Sequence, residues 1–193
     1  GEYVPGRSRV NVIMTASEAL AHRLIGQPAL EREKHYNGMR RLTKHVGEVG
    51  IGALDIALWD LAGKHYGAPV GELMGGYRKR LPAYASTTGG DKEPDGLSSP
   101  EAYADYAEQC YEMGYRAYKM HGWNAGDVAE ESAMIEAVAK RVGDKMKIMY
   151  DAANHLHTLG DAIEVGRVCD DCGLYWYEDP YGDGGISIHG HQM

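Results

Sequence analysis

Four side chains suited to acid–base or metal chemistry stand at the ends of three short apolar runs. Lys119 and His121 close the run that begins at Tyr115, Asp151 closes a second run, and Glu178 closes a third. These end points are about 30 residues apart, which is the length of a strand–helix–strand repeat. Carboxylates are oxygen ligands suited to Mg²⁺, and a lysine or histidine beside a divalent ion can remove a proton from carbon. The pattern predicts a metal-assisted proton-transfer site.

The spacing of the two basic residues supports this prediction. Lys119 and His121 are two apart, so on a strand both side chains point to the same face. If the three runs are neighbouring parallel strands, all four groups converge at the carboxyl ends, where parallel α/β folds keep their chemistry. A lone acid at a strand end is more often a helix cap or a solvated side chain. Polar groups at equivalent ends of three successive strands favour a site.

The elements that must position these residues alternate regularly along the second part of the chain. Strands are predicted over 81–87, 115–121, 146–151 and 173–178. The helices between the strands are predicted to begin at capping residues. Ser99, followed by Pro100, caps the first helix, and Thr158 with Asp161 begins the third. Asp127 begins the second, with Glu130 in a pattern resembling a capping box. Such alternation is typical of an α/β fold with a parallel sheet. Four strands make half of an eight-stranded barrel or part of an open sheet.

The first part of the chain is predicted to be mostly helical. The end of a strand and a turn are expected over 1–9. Helices are expected from Thr15 or Ser17 to Leu24, over 29–44 and over 49–67, with one further turn over 70–74. The pair Gly75-Gly76 then predicts a hinge, so the domains are expected to cover 1–76 and 77–193.

Composition limits the classes of protein that the chain can belong to. Its 193 residues are 44% hydrophobic and 25% charged, as in ordinary globular proteins. The formal net charge of −8, without a continuous basic surface, argues against nucleic acid as a partner. No apolar run approaches the ~20 residues of a membrane span, and no signal layout opens the sequence. We expect a soluble, cytoplasmic protein, and an odd number of cysteines, three, fits a reducing compartment.

Two further patterns have ordinary interpretations. Cys169 and Cys172 form a Cys-x-x-Cys near the end of a predicted helix, but no second pair accompanies them, so we interpret them as partly buried helix residues. His189-Gly-His191 has metal-pair spacing in a glycine-bearing tail without a companion ligand, and we interpret both histidines as solvated.

Taken together, the chain resembles the enolase superfamily, and within it the mandelate racemase branch that includes acid-sugar dehydratases. The matching segments are Gly52–Lys64, Pro69–Gly76, Lys119–His121, Asp151–Asn154 and Tyr177–Pro180. The resemblance implies a partial (β/α) barrel of enolase type, with its first four strands in 77–193. It also implies that 1–76 is the remaining, mostly helical part of an α+β N-terminal capping domain.

The resemblance further implies Mg²⁺ as cofactor, with Asp151 as the third-strand ligand and Glu178 as the fourth-strand ligand. A fifth-strand acid would lie beyond Met193, so we expect the chain to be a fragment. The family's second strand commonly bears Lys-x-Lys, and here the second position is His121. Either Lys119 polarises the substrate carboxylate and His121 moves the proton, or the two roles are exchanged.

The implied chemistry is abstraction of a proton α to a carboxylate, giving an enediolate, with dehydration of a sugar acid as the favoured outcome. Racemisation, epimerisation or cycloisomerisation are alternatives within the superfamily, and Asn154 and Trp123 are candidate substrate-binding residues. The expected partner is a small carboxylate substrate, and the full-length form is expected to be a homo-oligomer. Two other classes remain open: an open-sheet binding module, which gives no reason for the strand-end acids, and a non-catalytic relative, which would have lost them.

Overall fold

A computed structural model describes residues 9–45 and 47–182 of the protein. The chain forms two compact units, 1–80 and 81–193. Most of the strand end and turn predicted over 1–9, and the His189-Gly-His191 pair, lie outside the described residues. No helix within the described ranges has both the length and the apolar character needed to cross a bilayer.

The first unit is helical in its described part. Its helices are α1 (Arg9–Met14), a π-helical turn (Thr15–Leu20), a 3₁₀ turn (Ala21–Arg23), α2 (Arg32–Thr43), α3 (Ile51–Tyr66) and α4 (Val70–Leu73). The predicted start of the first helix at Thr15 or Ser17 is wrong, because the chain is already helical from Arg9. The Ser17 hydroxyl donates 2.7 Å back to the Ile13 carbonyl one turn earlier, which is the mid-helix use of a serine rather than a cap.

A small core joins these helices. Leu20, Met39 and Ile51 are buried together, with Tyr36 and Leu54 packed against them. At the surface of the same unit, the Arg32 guanidinium of α2 lies 4.1 Å from the centre of the Trp59 ring of α3, a cation–π contact that ties the two helices together.

The second unit is built on a four-stranded parallel sheet in the order β1-β2-β3-β4. The strands are β1 (Ala85–Ser86), β2 (Ala117–His121), β3 (Lys147–Asp151) and β4 (Trp176–Glu178). The connecting helices are α5 (Pro100–Glu112), α6 (Val128–Val142) and α7 (Leu159–Asp171). Sequential order in a parallel sheet is the arrangement of the first half of a (β/α) barrel. The predicted α/β class is confirmed.

The first strand is much shorter than predicted. Residues 81–87 were expected to pair, but only Ala85 and Ser86 do, against Tyr118 and Lys119 of β2. Pro82 has no backbone N–H, so it cannot donate a ladder hydrogen bond near the start of the run.

One face of the sheet carries the core. Alternate residues of β2 and β3 pack against α5, α6 and α7 in a single buried cluster that includes Tyr118, Met120, Ile148, Tyr150, Tyr103, Ala107, Met134, Ile135, Val138, Val165 and Cys169. Because strand side chains alternate, the intervening positions face the opposite side. The helices therefore fix the sheet from one face and leave the other face for the polar strand-end residues.

Side-chain caps begin each of the three helices. The Ser99 hydroxyl accepts the Ala102 N–H at 3.2 Å, and Thr158 with Asp161 forms a reciprocal capping box. Asp127 caps α6 by accepting two N–H groups at 2.9 Å. The caps predicted at these three positions are confirmed. The Asp127 cap is not completed to a capping box, because the Glu130 side chain accepts from Lys92 at 2.8 Å instead.

Candidate active site

The sheet register places three of the predicted site residues side by side. His121 is the partner of Asp151 across β2 and β3, and Asp151 is the partner of Glu178 across β3 and β4. Neighbouring strands lie about 4.8 Å apart, so the three side chains leave the carboxyl edge of the sheet as close neighbours. Lys119 is two residues before His121 and shares its face. The structure thus brings all four residues together.

The Lys119 ammonium group lies between the two carboxylates. Nζ is 2.8 Å from Oδ2 of Asp151 and 2.9 Å from Oε2 of Glu178, and Lys119 is only 7% exposed. Burial acts to lower the pKa of Lys119, but hydrogen bonds and charges from the two carboxylates outweigh it and raise the pKa above its usual value. This arrangement favours the positively charged form of the lysine.

The His121 ring contacts the same carboxylate. Its Nε2 is 2.8 Å from Oδ2 of Asp151, while its Nδ1 is buried and makes no hydrogen bond to any residue in the described ranges. The backbone of His121 is held on both sides, because its N–H donates to the Thr87 hydroxyl at 3.0 Å and its carbonyl accepts the Tyr103 hydroxyl. One ring nitrogen is oriented by an acid, and the other is a buried polar atom without a hydrogen-bond partner in the described part of the chain.

Asp151 is the centre of this cluster. Its second oxygen, Oδ1, accepts the backbone N–H of Ala153 at 2.9 Å, and the residue is 5% exposed. Burial acts to raise the pKa of Asp151. Hydrogen bonds from Lys119 and Ala153, together with neighbouring positive charge, more than offset burial and hold the pKa below its usual value. The aspartate is therefore kept ionised next to the histidine.

Backbone strain is concentrated directly after the two acids. Ala153, Asn154 and Asp179 have positive φ values of 48°, 62° and 44°, in a region that non-glycine residues seldom adopt. The two turns support each other, since the Asn154 N–H donates to the Asp179 carbonyl at 2.9 Å. Strained residues of this kind cluster at functional sites, and here both acids precede such a turn.

Glu178 has the most open side chain among the acids of the cluster. Its side chain is 39% exposed, and Oε2 accepts the Trp176 indole N–H at 3.1 Å in addition to Lys119. The Trp176 ring makes an edge contact with Tyr84, with the two ring centres 5.7 Å apart. Aromatic rings therefore border the carboxylates on the face of the sheet opposite the helices.

The two carboxylates fit a divalent cation. Both hold oxygens within 3 Å of the single Lys119 nitrogen, so they converge on one point, and both supply the hard oxygen donors that Mg²⁺ selects. Among the described residues no three His, Cys, Asp or Glu side chains are grouped as a ready metal site. Two carboxylates are nonetheless a suitable protein contribution to Mg²⁺, because this ion commonly completes its shell with water and substrate oxygens.

The two predicted substrate-binding residues are placed differently. Asn154 lies exposed in the strained turn after β3. Trp123 is 3% exposed and packs in the core, where its indole N–H donates to the Leu97 carbonyl at 2.8 Å. Its ring meets the edge of Tyr103 with centres 5.2 Å apart. Trp123 therefore lies in the core on the helix side of the sheet, and the structure does not bring its side chain to the carboxylates.

Sequence reasoning did not single out one buried acid near the cluster. Glu131 of α6 is 1% exposed and contacts the residues that follow His121 and precede Asp151. Its position carried a signal, because it lies three, four and seven residues before Met134, Ile135 and Val138, on the helical stripe that faces the core. A glutamate in register with a buried stripe requires an explanation.

Comparison with known protein families agrees with this architecture. The family described as mandelate racemase / muconate lactonizing enzyme, N-terminal domain, matches residues 1–75, and the family described as enolase C-terminal domain-like matches residues 102–191. Together the two matches span most of the chain. The chain therefore belongs to the mandelate racemase branch of the enolase superfamily, and the predicted enolase-type barrel is confirmed.

Individual relatives give the same result. The chain is 34% identical over 182 residues to the D-galactarolactone cycloisomerase of Agrobacterium fabrum, which is 91% of this chain and 46% of that protein. It is 31% identical over 153 residues to the arabinonate dehydratase of Saccharolobus solfataricus, which is 77% of this chain and 38% of that protein.

Among solved structures, the D-glucarate dehydratase of Agrobacterium tumefaciens, complexed with magnesium, superposes with a TM-score of 0.82 at 30% identity. That match covers 94% of this chain and 50% of the other. The chain spans half or less of the length of these three relatives.

Proposed function

We propose that the protein removes the proton α to the carboxylate of a sugar acid, giving an enediolate, and that it then eliminates a β-hydroxyl group as water. The observation that carries this proposal is the contact between His121 and Asp151, next to a lysine bridged by two carboxylates. The carboxyl edge of the sheet thus holds a proton acceptor, a positive charge and two carboxylates suited to bind a metal ion. Relatives named as dehydratases of sugar acids support the substrate class.

We assign proton transfer to His121. Its Nε2 is held 2.8 Å from the ionised Asp151, so the imidazolium formed when the ring accepts a proton is stabilised by the adjacent negative charge. Histidine is the side chain most often used for general acid–base catalysis.

We assign electrostatic stabilisation to Lys119. The carboxylates on either side favour its ammonium form, which suits it to stabilise developing negative charge on the substrate carboxylate rather than to act as the base. This supports the histidine, rather than Lys119, as the proton acceptor.

Asp151 and Glu178 are the residues that would hold Mg²⁺. When bound, the ion would polarise the substrate carboxylate and stabilise the negative charge that develops as the proton leaves. Structures of relatives described as complexed with magnesium support this cofactor.

Cycloisomerisation is the second candidate function, because the relative that is 34% identical over 91% of the chain is a cycloisomerase. Both reactions begin with removal of the α proton, so the four strand-end residues serve either. They differ in the fate of the intermediate, since dehydration expels a β-hydroxyl group as water, whereas cycloisomerisation breaks or forms a ring C–O bond at the β carbon without loss of water.

The experiment uses the protein with Mg²⁺ and a panel of D-gluconate, D-galactonate, galactarate, D-glucarate, D-arabinonate and D-galactarolactone in deuterated buffer. We expect at least one acid to exchange its α proton and to give a keto acid detectable with semicarbazide. Conversion of D-galactarolactone to an open-chain keto acid, with no keto acid formed from any of the open-chain sugar acids, would establish the second candidate. No α-proton exchange with any compound would refute both.

Variants then assign the roles. We expect His121→Asn to lose α-proton exchange by at least 100-fold. We expect Lys119→Met to weaken turnover but retain measurable exchange. His22→Asn, which removes an exposed histidine of the helical unit, is the matched control and should exchange at the parental rate. If Lys119→Met is inactive while His121→Asn exchanges normally, the assigned roles are reversed.

A further inference from the structure

Glu131 is a buried acid that the proposed proton transfer does not use. It lies in the first turns of α6 and is 1% exposed, and no Lys, Arg or His in the described part of the chain forms an ion pair with it. A carboxyl group buried without a cation is costly unless its oxygens are hydrogen-bonded. The hydrogen-bond partners of its two oxygens therefore indicate the role of the residue.

Each oxygen of Glu131 binds a different structural element. Oε1 accepts the backbone N–H of Trp123 at 2.8 Å, two residues beyond His121, and Oε2 accepts the Tyr150 hydroxyl at 2.9 Å, one residue before Asp151. One carboxyl group thus joins the end of β2 to β3 on the core side of the sheet. The His121–Asp151 contact lies at the ends of the same two strands.

The neighbouring residues leave space for this carboxyl group and contact the same backbone segment. A Cβ atom at Gly122 would lie 1.6 Å from Oε2 of Glu131, so only glycine leaves room for the side chain there. The Tyr103 hydroxyl, which interacts electrostatically with Glu131, donates to the carbonyl of His121. The backbone that carries His121 is therefore contacted from α5 and from α6.

We propose that Glu131 is a positioning residue of the active site, which fixes the end of β2 against β3 so that His121 stays in contact with Asp151. The role rests on the proposed function, because His121 is its proton acceptor. The residue acts through its two oxygens as hydrogen-bond acceptors, and burial raises the pKa of Glu131 to about 7. A neutral side chain with the same shape and an acceptor oxygen should therefore serve in its place.

The test compares Glu131→Ala with Glu131→Gln, and uses Glu136→Ala, an exposed glutamate of the same helix, as matched control. Three properties are measured at pH 7: amide hydrogen exchange at Trp123, the ring ¹⁵N resonances of His121, and α-proton exchange of the sugar acid identified above. Glutamine keeps a carbonyl oxygen for the Trp123 N–H and an amide N–H₂ for the Tyr150 oxygen. Alanine leaves both groups buried without a partner.

We expect Glu131→Ala to speed amide exchange at Trp123 by at least 10-fold, to shift the His121 ring resonances and to lower kcat by at least 10-fold with a smaller change in KM. Glu131→Gln and Glu136→Ala should resemble the parent in all three properties. Unchanged His121 resonances in Glu131→Ala would overturn the proposal, and so would a glutamine variant as impaired as the alanine variant. The two spectroscopic measurements need no substrate, so they decide the positioning role even if no sugar acid reacts.

Discussion

Replacing Glu131 by glutamine should change how the stability of the protein depends on pH. Burial raises the pKa of this carboxyl group from 4.5 to about 7, against the opposing effect of the hydrogen bonds from Tyr150 and Trp123. The other groups near it, the hydroxyl of Tyr103 and the acids Glu130 and Asp127, include no cation. The folded state therefore holds this proton at pH values where the unfolded chain has released it.

The sign and size of the effect follow from this difference. Between about pH 4.5 and about pH 7 the folded state binds more protons than the unfolded state, so stability falls as pH rises through that window. A difference of about 2.5 in pKa, at 1.36 kcal/mol for each unit, amounts to about 3 kcal/mol. Glutamine does not titrate. The stability of Glu131→Gln relative to the parent should therefore increase by up to about 3 kcal/mol between pH 4.5 and pH 8.

The assay is urea unfolding followed by far-ultraviolet circular dichroism at pH 4.5, 6, 7 and 8 for the parent and the variant. All other titrating groups are common to both proteins and cancel in the difference. Glu136→Gln removes the same charge from the exposed face of α6 and controls for the change in net charge. A parent–variant difference that stays within about 0.5 kcal/mol across the range, or that moves in the opposite direction, would refute the reasoning.

Three other perturbations have defined outcomes. Asp151→Asn and Glu178→Gln should each weaken Mg²⁺ binding by at least 10-fold in titration calorimetry with the helix content unchanged, and unchanged affinity in both would remove these residues as ligands. Gly122→Ala should destabilise the protein by about 3 kcal/mol in urea, because the new methyl group overlaps the Glu131 carboxyl group; a loss below about 0.5 kcal/mol contradicts the packing. Ser99→Ala should cost about 1 kcal/mol by removing the cap of α5, whereas Ser99→Thr, which keeps the hydroxyl, should cost less.

Local patterns were sufficient to predict the architecture of the second unit. Apolar runs alternating with capped helices predicted four parallel strands, and the caps at Ser99, Asp127 and Thr158 are where the sequence placed them. These features depend on neighbouring residues along the chain, so they can be recognised without tertiary contacts. Local patterns gave the wrong limits for two elements. Only Ala85 and Ser86 pair in β1, and the first helix runs from Arg9 although Thr15 and Ser17 are good capping residues.

The candidate site was likewise predictable in part from the sequence, while its contacts depended on the tertiary structure. The chain order of Lys119, His121, Asp151 and Glu178, with the two-residue spacing on β2, was enough to predict one shared edge of the sheet. Only the folded sheet, through its register, decided that the lysine lies between both acids and that the histidine contacts Asp151. Distances of this kind depend on which strands pair and how they are aligned, and a sequence pattern with a period of two residues does not determine either.

Sequence reasoning did not predict the burial of two further side chains, Trp123 and Glu131. Trp123, which the sequence suggested for substrate binding, is held in the core by its contacts with Leu97 and Tyr103. Glu131, a residue type that is seldom buried, is almost fully buried and bonds to the segment after β2 and to β3. Residue type predicts only an average preference for water or for the interior. The tertiary packing decided that both side chains are buried, and the packing of α6 against the sheet set what the buried carboxyl group contacts.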